Sequence, residues 1–175
     1  MLDRAAVKRA LAMLRGRVEY VYFFSKLTSP RWIELLAEQG RFSTPPDVVR
    51  DGDSIQFPSW PESDYLSRVA ARAPDAAFRA LSQIPLTDNQ RVHDDLVTVA
   101  LQLLPRDAAT WARTETEWVS KQPWLTFLLP EKLSELTAYL AKSGEMDAAL
   151  ELARHLFALQ PDPRREKDDE TQDSR

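Results

Sequence analysis

The chain has 175 residues and a net charge of −4, and 43% of its residues are hydrophobic. That length suits one domain with its own core, and the acidic balance argues against a nucleic-acid binder, which as a rule carries a basic footprint. With no cysteine the chain has no disulfide, no thiolate nucleophile and no Cys-ligated metal, which fits a cytoplasmic protein. No apolar run approaches the ~20 residues of a membrane span, and the basic N-terminus lacks the continuous apolar stretch of a signal peptide. Twelve prolines against four glycines, in a background rich in helix formers, favour helices with prolines as starts and stops.

Val7, Leu11, Leu14, Val18 and Val21 recur at three- and four-residue steps, which predicts a helix over about 3–27. Gly16 costs ~1 kcal/mol relative to Ala inside a helix and is where this one would divide. Arg4, Lys8, Arg9, Arg15 and Arg17 make its outer face basic, either a surface for an acidic partner or anionic lipid or a solvated face. Ser29-Pro30 is a hydroxyl N-cap followed by proline at the first helical position. Trp32, Leu35 and Leu36 then give an apolar stripe, and Gly40 a left-handed stop. Residues 41–62 break the helical period. Asp51-Gly52, between 48–50 and 54–57, predicts a small β-hairpin-like insertion near 47–58. A lone two-stranded hairpin is marginal, so it must lie on the helices, with Phe42, Phe57 and Trp60 as anchors.

Residues 64–73 and 74–84 form the next helical pair, with Tyr65, Leu66, Val69 and Ala70 inward in the first and Ala77, Phe78 and Leu81 in the second. Thr87, Asp88 and Asn89 offer caps for a helix running to about Leu104 that buries Val92, Leu96, Val99, Ala100 and Leu103. Pro105 and Pro123 bracket a helix carrying Ala108, Trp111, Ala112, Trp118 and Val119. Residues 125–129 are a short turn of helix or an extended apolar connector. A helix from Pro130 with Leu133, Leu136 and Leu140 on one face stops near Ser143-Gly144. The last helix carries Ala148, Ala149, Leu152, Leu156 and Leu159 before Pro161. From Asp162 on, mixed charges without apolar period predict a disordered tail or linker. Residues 1–161 thus read as one all-α domain, an irregular α-solenoid of stacked helical hairpins with one small insertion.

Leu136, Gly144, Ala149 and Pro161 make residues 130–163 resemble a tetratricopeptide repeat, while Thr137 and Ala153 depart from its usual small and aromatic residues. The remaining pairs look more like HEAT-type helices. A second resemblance lies in 23–27 (Phe-Phe-Ser-Lys-Leu), Pro30-Arg31-Trp32, Gly40-Arg41-Phe42, Pro45-Pro46 and Pro58-Ser59-Trp60-Pro61. These look like a segment of large bacterial multidomain proteins that combine helical repeats with other domains, some nucleotide-binding. Both resemblances imply a recognition segment, free-standing or part of a longer chain.

No motif identifies a reaction, and no catalytic, cofactor-binding or metal-ligating residue is assigned. His93 precedes Asp94 and Asp95, but neighbours on a helix point in different directions, so the three cannot ligate one metal. They read as capping and solvated residues. His155 has only Glu151 as a possible second ligand on its face. Glu115 and Glu117 are splayed by their two-residue spacing. The glycines form no phosphate loop, and no serine sits in a Gly-x-Ser-x-Gly elbow. Basic residues near the N-terminus and at Arg164-Arg165 lack interleaved aromatics of the kind that stack bases.

Trp32, Trp111 and Trp118 fall on apolar stripes and read as core. Trp60 and Trp124 lie beside prolines in connectors, where an aromatic either pins the loop or stands exposed as a binding hot spot. Trp124, Leu125, Phe127, Leu128 and Leu129 are more apolar surface than a short joint needs. Trp124, Leu125, Phe127, Leu128 and Trp60 are therefore the candidate partner-binding residues, and pinning is the competing role of Trp60. The expected function is a non-enzymatic module for a protein or peptide partner, with self-association open. The competing readings are a nucleic-acid-binding domain using the basic first helix and the accessory domain of an enzyme.

Overall fold

A computed structural model describes residues 3–52 and 54–157. Among them nine α-helices and one two-stranded sheet follow in order: α1 (Arg4–Met13), α2 (Arg17–Lys26), α3 (Trp32–Glu38), β1 (Val49–Asp51), β2 (Ser54–Gln56), α4 (Pro61–Val69), α5 (Pro74–Leu81), α6 (Gln90–Ala100), α7 (Pro105–Val119), α8 (Leu129–Lys142) and α9 (Met146–Leu156). The fold is all-α with a small hairpin, as the periodicity predicts. Leu159, Pro161 and the tail from Asp162 lie outside the described residues.

Most helices pack on the next but one, although α5 makes little contact with α7, and α8 packs most extensively on the consecutive α9. In one layer α2 packs on α4, α4 on α6 and α6 on α8; in the other α1 packs on α3, α3 on α5 and α7 on α9. Successive helices thereby bury their apolar faces against one another. The core is correspondingly long, running from Val7, Phe24 and Leu36 through Tyr65, Val69 and Val97 to Leu133, Leu140 and Leu152.

Local chemistry sets the boundaries. Prolines occupy the first turn of α4, α5, α7 and α8, where the missing N–H costs no hydrogen bond. Gly40 and Gly144 take φ of +67° and +88° and close Schellman turns. Arg41 N–H donates to Leu36 O at 3.0 Å in the first, and Glu145 N–H to Leu140 O at 2.9 Å in the second. The end of α2 is capped from a neighbouring helix and the turn after it. Arg68 donates to Phe24 O and Leu27 O, Tyr65 to Ser29 O, and Arg72 to Thr28 O. Cations suit that end of a helix dipole.

Three expectations need correction. The apolar stripe of Val7, Leu11 and Leu14 does not continue into Val18 and Val21. The chain leaves the helix at Leu14 and restarts at Arg17, which resets the phase, so α2 buries Phe24 and leaves Val18 83% exposed. The helix expected from Asp64 starts at Pro61, because the proline that looked like connector is its first residue. Beyond Val69 it tightens into a 3₁₀ turn at Ala70–Arg72.

Candidate interaction surface

The surface is organised from α6, which packs between α4 and α8. Asn89 caps α6: its Oδ1 accepts from Arg91 N–H at 3.1 Å. Its Nδ2 donates to Pro46 O at 3.0 Å and Pro58 O at 2.9 Å, so one buried amide holds both ends of the hairpin insertion. β1 and β2 pair antiparallel, with Arg50 opposite Ile55. Val48, Arg50, Ile55 and Phe57 line a groove of about 380 Å3 whose other wall is Trp118 and Trp124. Phe42 and Trp60 lie edge to face at the root of the insertion, both buried.

Next along α6, Gln90 grips the connector between α7 and α8. Its Nε2 donates to Trp124 O at 2.9 Å, and its Oε1 accepts from Thr126 N–H at 2.7 Å and Thr126 Oγ1 at 2.9 Å. The connector backbone is thereby fixed while three of its large side chains stand in solvent. Trp124 is 45% exposed, Phe127 53% and Leu128 58%. Phe127 has φ +57°, a left-handed conformation that bulky residues rarely adopt. Phe57 of the insertion meets the rings of Trp124 and Phe127 edge to face, at centroid distances of 6.2 and 5.6 Å. Three aromatics from two segments thus form one cluster, with Trp124 and Phe127 exposed and Phe57 half-buried.

Of the sequence-derived candidates, Trp124, Phe127 and Leu128 come together on this surface. Leu125 does not: it is half-buried and packs on the core. Trp60 is buried against Phe42 and pins the insertion, so it is withdrawn from the binding set. Phe57, read only as an anchor, is half-buried and also meets the rings of Trp124 and Phe127. Gln90 and Asn89 were not singled out beyond capping. Their role depends on partners 31 to 43 residues away, and no local pattern encodes that.

His93 also corrects the sequence reading. It is buried, not solvated. Nδ1 lies 2.8 Å from both carboxylate oxygens of Glu115, and Nε2 lies 2.8 Å from the carbonyl oxygen of Thr87. The Thr87 carbonyl accepts, and a Glu115 carboxylate accepts as well, so the geometry suits an imidazolium that donates from both ring nitrogens. Burial alone pulls the His93 pKa down, but the Glu115 charge and hydrogen bond, with the Thr87 carbonyl and Asp88, outweigh it and raise the pKa above its ordinary value. The ring stacks on Trp118 at 3.5 Å between centroids, with the planes 10° apart. His93 and Glu115 line a cavity of about 270 Å3 walled by Leu81, Ile84, Leu96 and Trp111. Neither nitrogen has a free lone pair, so in this arrangement the imidazole is committed as a structural cation and offers no general base.

The neighbours of His93 face other helices. Asp94 accepts from Lys132 Nζ of α8 at 2.9 Å, and Asp95 accepts from Ser63 Oγ of α4 at 2.6 Å. Burial, with Asp64 and Asp94 nearby, pushes the Asp95 carboxyl up to about 6. His93, Asp94 and Asp95 therefore link α6 to α7, α8 and α4. Glu115 turns inward on α7, whereas Glu117 is exposed beside Lys121. Among the described residues no group of three or more His, Asp or Glu could hold a metal ion, and no helix is long and apolar enough to cross a membrane.

No known family, curated protein or solved structure matches the chain.

Proposed function

We propose that the chain is a non-catalytic recognition module that binds an extended protein segment. The segment would lie in the groove between the hairpin and the connector joining α7 to α8, seating an apolar side chain against Trp124 and Phe127. The observation that carries this is the fixed connector: Gln90 makes two hydrogen bonds to its backbone and a third to the Thr126 hydroxyl, while Trp124, Phe127 and Leu128 stay in solvent. Exposed aromatics held in advance lose little entropy on binding and are typical hot spots. A non-glycine residue at φ +57° costs ~1–2 kcal/mol, and such strain clusters where function requires a shape.

The groove also offers polar recognition. Trp118 lines it and is buried, and its Nε1–H has no partner among the described residues. Arg50 and Gln122 lie beside it. A peptide carbonyl or carboxylate suits these donors. A helical-repeat and tetratricopeptide-like reading draws support from the packing of α2 on α4, α4 on α6 and α6 on α8 and from the Schellman turn at Gly144; the cysteine-free sequence supports a cytoplasmic setting.

The test is selection from a displayed random-peptide library, with binding followed by tryptophan fluorescence. The expected outcome is an enriched apolar motif that shifts the emission of Trp124. Its affinity would fall at least tenfold in a Trp124→Ser/Phe127→Ser/Leu128→Ser variant of unchanged melting temperature. Enrichment no greater than for that variant would refute the proposal.

A further inference from the structure

Among the described residues, α2 and α9 carry complementary faces that no other helix covers. α2 is apolar on opposite sides. Phe24, with Tyr20 and Phe23, faces inward, and α4 is the helix that α2 packs on most. Val18, Val21 and Tyr22 lie on the other side, with Tyr22 64% exposed and Met13 of α1 exposed nearby in sequence. A helix that is apolar all round belongs between two neighbours, and α2 has one layer-mate. At the far end α9 packs on α7 and α8 through Ala148, Ala149 and Leu152. Met146, Leu150 and Phe157 follow at helical spacing along its exposed flank, Phe157 being 69% exposed. The charges match as well. Residues 3–26 carry six Lys or Arg and two Asp or Glu, while residues 145–157 carry three Asp or Glu and one Arg.

We infer that a second copy of this chain docks head to tail, its α9 end seated on the α2 end of the first. The contact is an apolar seam between terminal helices, basic on one side and acidic on the other. The two surfaces differ, so the association is heterologous and does not close at a dimer. It uses none of Trp124, Phe127 or Leu128, so recognition and assembly are separable.

Sedimentation velocity of the full chain from micromolar to millimolar concentration tests this. The expected result is a mass that rises with concentration without a plateau at two copies, and more weakly at high salt. Val18→Glu/Tyr22→Glu blocks one end and Met146→Glu/Leu150→Glu the other. All four positions are exposed, so both variants should melt like the wild type. Each alone should be monomeric, and an equimolar mixture should give a one-to-one dimer through the two intact ends. A wild type that stays monomeric throughout overturns the inference, and so does a mixture that stays monomeric. A discrete dimer abolished by the α2 variant but kept by the α9 variant overturns it in favour of a two-fold α2 contact. Trp124→Ser should assemble like the wild type, whatever becomes of peptide binding.

Discussion

Removing the carboxylate of Glu115 should expose what the buried His93 contributes. In Glu115→Ala the imidazole loses the partner 2.8 Å from Nδ1 while remaining buried. Breaking a buried pair from one side costs about 3–5 kcal/mol, a large share of the roughly 5–15 kcal/mol that holds a domain together. Glu115→Gln separates charge from packing. The Gln amide can donate to Nδ1 of a neutral ring whose Nε2–H still reaches Thr87 O, so the cost should be nearer ~1 kcal/mol. The two variants also differ from the wild type in pH dependence. The folded-state pKa of His93 is raised above its ordinary 6.5, so above pH 6.5 the folded state keeps a proton that the unfolded state has released. The pair's contribution is full below that pH and is lost as pH rises through the folded pKa. The loss is at most about 1.4 kcal/mol per pH unit for one proton. Urea unfolding followed by circular dichroism, at steps from pH 6 to pH 9, measures both effects. A wild-type slope retained in Glu115→Gln, or a Glu115→Ala cost below ~1 kcal/mol, would refute the imidazolium assignment.

Asp95→Asn should raise stability at pH 7 by about 2 kcal/mol, since a carboxyl held near 6 instead of its ordinary 3.8 opposes folding once ionised. Its folded pKa is raised, so wild-type stability should fall between about pH 4 and 6; thermal melts across that window should be flatter for the variant. Asn89→Ala removes an N-cap and the tether of the insertion at once, and should cost about 2–3 kcal/mol. Amide exchange should then speed up in β1 and β2 ahead of α8. Phe127→Gly relieves the left-handed backbone and should raise stability by roughly 1 kcal/mol while weakening peptide binding. Destabilisation would show that Phe127 is held for packing.

Much of the helical architecture is legible because prolines punctuate it and apolar residues recur at helical steps. The buried sets of α6, α7 and α8 follow directly from Val92 and Leu96, Trp111 and Trp118, and Leu133 and Leu136. The phase of α2 is not legible, since three non-helical residues at 14–16 turn Val18 from the inside to the outside. The role of α6 is hidden for a different reason. The rule that adjacent helical residues diverge holds for His93, Asp94 and Asp95, but on a helix walled on several sides diverging residues meet three neighbours where a surface helix would meet water. The connector was suspect from its composition alone. What the sequence hides is Gln90, whose hydrogen bonds turn an apolar joint into a fixed, exposed surface.

The most direct measurement is the ¹⁵N–¹H spectrum of the five tryptophan indoles during titration with a selected peptide. The account predicts that Trp124 and Trp118 shift, Trp118 downfield as its Nε1–H gains an acceptor, while Trp32, Trp60 and Trp111 stay in place. Movement of Trp60 or Trp111 with Trp124 unchanged would contradict it and place recognition elsewhere on the molecule.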